Sequence, residues 1–350
     1  MSNNAISWLW NKIKGAFDAD AKQLHRVFFA EDNSSPLAPN DSYLRLTLSE
    51  LFLAKEVQWG IERFPAVQAS VRLLFGGGPP KTFATLARRP DNLAGPGVFQ
   101  DYELTYLLPY LGQAVELEVG LFEIFGKNNL GTAVDILSDF ASLVAPPLSG
   151  AFAVMDKVSS GIEKVITANG TEPVLALHAT LMPGGGVNDV QPGWLAVVRA
   201  TEKELPLASL CVVGGRLHRR VGAGTEALTG FDYLVLRLEG SDTRAENSEW
   251  ITPDLDAAIS AASLARDTGK DDEFKRLRED ALTKVYFSAD FTPGDRKQIA
   301  KLLREELDDT EAGAAGEGDF TLASIVSRRG LPARSEVDDL TLGDLLLQTG

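Results

Sequence analysis

Cysteine is almost missing from this chain. Cys211 is the only one in 350 residues, so no intrachain disulfide can form and the fold must stand on its core. Histidine is nearly as scarce: His25, His178 and His218 lie far apart with no second histidine or cysteine at ligand spacing, and no metal or other cofactor is expected. Long apolar runs are absent too. No segment reaches about eighteen uncharged apolar residues, which argues against a permanent transmembrane helix. Positive charge is in deficit, with 34 Lys and Arg against 49 Asp and Glu and a net charge of −15, so neither duplex nucleic acid nor anionic lipid suits the chain as its main partner. The opening MSNNAISWLWNK lacks the basic-then-apolar order of a secretory signal. With the lone cysteine, this points to a reducing, bacterial cytoplasm, where the N-x-[ST] triplets at Asn33, Asn40 and Asn169 carry no meaning.

What the chain has is 44% apolar residues, enough for one large or two modest cores. Ile6, Trp10, Ile13, Phe17, Leu24 and Phe28 recur at helical spacing, and residues 1–30 are expected to form an amphipathic helix. Residues 43–250 read as a β-rich body, with strand-like runs at 69–75, 114–125, 174–182, 194–200 and 231–238 between glycine and proline clusters. Strands that follow one another without helices favour an antiparallel sheet or sandwich over a doubly wound fold. Residues 130–166 are expected to interrupt this body with a helical hairpin broken at Pro146 and Pro147. Its uncharged stretch, 140–155, also admits a membrane-entering hairpin. Residues 251–309 carry helix punctuation: Thr252 with Pro253, Gly269, and Thr292 with Pro293 and Asp295, giving three helices packed on the body. The expected fold class is α+β.

The remainder, 310–350, reads as an acidic linker and flexible tail. It writes one phrase twice, twenty positions apart: Asp319-Phe320-Thr321-Leu322-Ala323-Ser324-Ile325-Val326 and Asp339-Leu340-Thr341-Leu342-Gly343-Asp344-Leu345-Leu346. Thr321 and Thr341 suit helix caps, and Gly330 after Arg328 and Arg329 suits a helix stop. A looser echo occupies 46–53. Helices so short order only against a surface. The leading expectation is therefore a non-catalytic adaptor that recruits a protein partner through Phe320, Leu322, Ile325, Val326, Leu340, Leu342, Leu345 and Leu346, against the alternative that the tail folds back on its own domain.

Catalytic patterns do not survive inspection. Residues 76–82 end in Lys81-Thr82 but place Pro80 where a phosphate loop needs glycine, and 222–227 fit G-x-G-x-x-A without a helix to follow. Cys211 sits in an apolar run as a small core residue, and no acid pair stands out. Arg216, His218, Arg219 and Arg220 form the one dense basic cluster, which allows an enzyme or small-anion receptor as an alternative. A further alternative is a membrane-acting effector using the first helix and the hairpin, since Trp8 and Trp10 sit beside two lysines.

Overall fold

The computed structural model describes residues 24–52, 54, 57–58, 61–73, 81–88, 99–103, 107–125, 175–184, 189–242, 244, 253–309 and 320–347. The fold is α+β and its strands pair antiparallel. A six-stranded sheet runs in the order β1 (Leu24–Ala30), β10 (Gly193–Arg199), β14 (Tyr233–Ser241), β2 (Ser42–Phe52) and β6 (Phe99–Glu103), with β7 (Leu108–Tyr110) also on β2. A five-stranded sheet joins β3 (Val57–Gln58), β4 (Ile61–Leu73), β8 (Val115–Phe125) and β9 (Leu175–Leu181), with β5 (Lys81–Arg88) on β4.

These two sheets share one core, and period-two alternation decides which side chains enter it. Leu44, Leu46 and Leu48 of β2 and Leu234, Leu236 and Leu238 of β14 meet Val115, Leu117 and Val119 of β8 and Leu175, Leu177 and Leu181 of β9. Each such leucine, fully withdrawn from water, contributes about 1.5–3 kcal/mol. The other face of the six-stranded sheet is covered at one end by a three-stranded meander, β11 (Leu210–Val213), β12 (Arg216–Val221) and β13 (Gly224–Ala227). Leu210, Leu217 and Leu228 of this segment pack there on Phe52, Ala196, Val198 and Val235.

The three helices begin and end close to their sequence signals: α1 (Pro253–Asp267), α2 (Asp271–Tyr286) and α3 (Pro293–Asp308). Thr292 caps α3 by accepting the Asp295 N–H at 3.3 Å. The helices build a core of their own around Ile259, Leu282, Phe291, Ile299 and Leu303. Among the described residues no helix is long and apolar enough to cross a membrane.

Sheet and helices meet at Tyr43, which is wholly buried on β2. Its hydroxyl donates to Asp295 Oδ2 and accepts the Thr292 N–H at 3.0 Å. Arg334 closes the joint, donating to the Asp41 carboxylate and to the carbonyls of Asp41 (3.2 Å) and Asp242 (3.3 Å), with Asp295 Oδ1 at 3.5 Å. Burial pushes the Asp295 carboxyl above its ordinary range, opposed by the Tyr43 hydrogen bond and by Arg334 and Arg244.

Two sequence expectations change here. Leu24–Ala30 is not the end of a helix: it is strand β1, paired with β10 in register from Leu24↔Arg199 to Ala30↔Gly193. Val27, Phe28 and Phe29 favour a pleated surface, and tertiary pairing outweighs the sparse helical spacing. The echo at 46–53 lies largely in strand β2, its leucines spaced for a sheet face. The rest of the first helix, residues 1–23, and the hairpin expected at 130–166 lie outside the described residues.

Tyr43→Phe removes the hydroxyl that serves both Asp295 and the Thr292 N–H, leaving that N–H unpaired and the Asp295 carboxylate without its hydrogen bond from β2. The expected cost in urea denaturation is about 2 kcal/mol. A change below about 0.5 kcal/mol, the size of an ordinary surface substitution, would show that the joint does not hold the two parts together.

Candidate functional site

Two sets of residues carried the functional expectations, and the structure treats them differently. The repeated tail phrase forms two short helices, α4 (Leu322–Arg329) and α5 (Leu342–Leu346). Both open on the same reciprocal cap. Thr321 Oγ1 accepts the Ser324 N–H while Ser324 Oγ accepts the Thr321 N–H, each at 3.2 Å; Thr341 and Asp344 repeat the pattern at 3.3 and 2.9 Å. The Thr341 hydroxyl, donating to Asp344 Oδ2 at 2.6 Å, and the Thr341 N–H together hold the Asp344 carboxyl below its usual range. The letters that match in sequence therefore match in conformation.

The phrase was expected to lack a home in its own chain; instead both copies pack on the helical core. Leu322, Ile325, Val326 and Leu345 are buried in it, and Phe320, Leu340 and Leu346 pack against it half-buried. The first copy is also clamped by polar groups. Asp256 accepts the Leu322 N–H at 2.7 Å, Ser260 donates to the Phe320 carbonyl at 3.1 Å, and the Phe320 ring lies 5.8 Å from the Arg266 guanidinium and 6.0 Å from that of Arg328. Arg328 and Arg329 both pair with Glu306, which is wholly buried, and Arg329 reaches Asp309 at 2.6 Å.

The second copy is held more lightly. Arg304 donates to the Asp344 carbonyl at 3.0 Å, and Leu345 is its one fully buried side chain. Leu342 and Leu346 are half-buried, and Leu347, just past the helix, is 67% exposed.

The basic cluster falls on β12, where the pleat divides it. Arg216, His218 and Arg220 share the face directed away from the six-stranded sheet, and Arg219 lies with Leu217 on the other, beside its cross-strand neighbour Glu226. The four residues do not form a single clamp. The meander is tied down at a β-bulge in β2: Leu236 pairs with Leu48 and Val235 with Glu50, so Ser49 is the extra residue. The bulge turns the consecutive side chains of Ser49 and Glu50 toward the meander. Ser49 Oγ donates to the Gly215 carbonyl at 2.8 Å, and Glu50 Oε2 accepts the Leu217 N–H at 2.7 Å. Gly215 has φ +78° and a Cβ there would come within 2.7 Å of Ser49 Oγ, so only glycine fits.

Glu50 is 4% exposed, and burial raises its carboxyl above the ordinary 4.5, against the opposing pull of Leu217 N–H, Tyr233, Arg216 and His218. Burial, reinforced by the Glu50 charge, raises the Tyr233 hydroxyl in turn. Glu50 and Tyr43 escaped sequence inspection, and Asp295 was read only as part of a helix start. One sign was available for Glu50: the adjacent polar pair Ser49-Glu50 interrupts an apolar alternation, as a bulge does. Among the described residues no group of three or more His, Cys, Asp or Glu is arranged to hold a metal ion. Comparison of the chain with protein-family models, with curated proteins and with solved structures gives no match.

A carboxyl whose pKa is raised on folding adds stability that is full below 4.5 and is lost as pH rises through the folded value. Glu50→Gln keeps an acceptor for the Leu217 N–H without a buried charge. At neutral pH it should therefore be more stable than the native chain by about 1 kcal/mol, the gap closing as pH falls through the acidic range. Thermal melting across pH tests this. A variant less stable at neutral pH would mean that attraction to Arg216 and His218 outweighs burial.

Proposed function

We propose that the chain is a non-catalytic adaptor of the reducing cytoplasm that recruits a protein partner through its C-terminal tail. The unequal use of the two copies supports this reading. The first, with Phe320, Leu322, Ile325 and Val326, is invested in the helical core and its ion pairs, which makes it the anchor. The second, with Leu340, Leu342, Leu345 and Leu346, repeats the same cap but spends only Leu345 fully on the core, so that Leu342, Leu346 and Leu347 offer an apolar edge to a partner. A short capped helix presenting leucines at i and i+4, Leu342 and Leu346, suits the groove of a helix-binding protein. Anchoring the first copy keeps the second preformed, which lowers the ordering cost of capture.

Leu342→Asp combined with Leu347→Asp should leave the melting temperature close to native, because Leu347 is exposed and Leu342, half-buried, is not among the side chains packed on the helical core. The same variant should lose the proteins that co-purify with the native chain from its source cells. Identical recovery with native and variant chains would defeat the proposal.

A further inference from the structure

We infer that residues 331–347 are an electrostatic strap, an ionic-strength switch that keeps the second tail copy docked and presented while it is closed, and that lets this copy leave the body, with the first copy still in place, when its charges are screened. The inference deepens the adaptor reading by naming what regulates the partner-facing copy, and it rests on that reading for its use.

The strap departs from Gly330, which ends α4 at φ +71° with open space where a Cβ would stand. Near its start Arg334 grips the joint between sheet and helices. It donates to the Asp41 carboxylate and to the carbonyls of Asp41 and Asp242, and its guanidinium lies over Gly294 of α3, where a Cβ would come within 3.4 Å of it. Farther along, the fastenings come from α3, whose Lys297, Lys301 and Arg304 stand at i, i+4 and i+7 and so share one face. Lys297 donates to the Asp338 carbonyl, Lys301 pairs with Glu336 at 2.6 Å, and Arg304 donates to the Asp344 carbonyl at 3.0 Å. The hydrogen bond and charge of Lys301 hold the Glu336 carboxyl below its ordinary range. The strap's own charge suits this row. Residues 335–350 carry Glu336, Asp338, Asp339 and Asp344 and no lysine or arginine.

Charge matters here because the apolar hold is thin. Val337 and Leu345 are the only buried side chains among residues 331–347, against Leu322, Ile325 and Val326 within five residues of the first copy. The Lys301 and Glu336 side chains are 23% and 54% exposed, so dissolved salt reaches the pair and weakens it. Arg328 and Arg329 of the first copy instead meet the wholly buried Glu306, and a pair with a buried member is screened much less. Ionic strength therefore acts on one copy and spares the other. A five-residue helix does not persist away from its surface, so undocking and unfolding of α5 are a single event that withdraws the edge offered to a partner.

Hydrogen exchange of the full native chain, followed by mass spectrometry at about 20 mM and about 500 mM sodium chloride, tests the strap without any partner, so the strap and the adaptor reading can fail separately. Peptides covering α5 should exchange at least about tenfold faster at the higher salt, and those covering α4 less than about twofold faster. Glu336→Lys replaces an exposed attraction with a repulsion. At low salt its α5 should exchange at least about fivefold faster than native, its response to added salt should be smaller, and exchange in α1 to α3 should stay native, which shows an intact fold. An α5 indifferent to salt, α4 and α5 quickening together, or native α5 exchange in Glu336→Lys would each overturn the inference.

Discussion

Strand β2 is buried along almost its whole length, on both faces, and every polar side chain on it must therefore find a partner or cost the fold the loss of its water. Its inner face is leucine and closes the two-sheet core. Its outer face is polar, and its partners come from three separate parts of the molecule: Tyr43 joins α3, Arg45 and Thr47 meet Glu239 on β14 (2.8 and 3.2 Å for the nearest approaches), and Ser49 with Glu50 holds the meander. One strand thus organises the sandwich, the helical unit and the meander together. Apolar burial supplies most of the driving force, while these polar contacts select one arrangement of the parts.

Two of the partners are carboxyls held above their ordinary titration range by burial, Glu50 and Asp295. Each sits where an attached unit meets the six-stranded sheet. Each also accepts a hydrogen bond that softens the cost of burial, from the Leu217 N–H in one case and from Tyr43 in the other. The same direction of shift at both joints makes attachment of the meander and of the helices more favourable in acid than at neutral pH. That sign is opposite to the usual contribution of a salt-bridged acid.

The helical unit shows how a weak local preference becomes fixed structure. An eight-residue and a five-residue helix are too short to persist alone, yet each is started by a reciprocal threonine cap and completed by contact with longer helices. The first is locked further by Glu306, whose burial is tolerable because Arg328 and Arg329 both reach it. The second lacks such a lock. The gradation from anchored to lightly held along one tail is what gives the adaptor reading its physical content.

Much of the architecture was legible because it rests on short-range chemistry. Thr292, Pro293 and Asp295 together read as a helix start, the Thr321 and Thr341 caps close over three residues, and the alternation of Leu234, Leu236 and Leu238 marks a strand, though the structure buries its other face as well, at Tyr233 and Val235. The candidate sites were less legible. The cluster from Arg216 to Arg220 was visible as composition, but its division into two faces depends on the strand being placed against the sheet, and Leu24–Ala30 became a strand only because β10 offers it an edge. The amino-acid sequence alone determined the α+β class, the helix boundaries and the shared conformation of the two tail phrases, since those follow from contacts within a few residues. Tertiary structure alone decided that the phrases pack on their own helices, that Tyr43 meets Asp295 across 252 residues, and which arginines share a face, because burial is a relation between segments that sequence spacing does not specify.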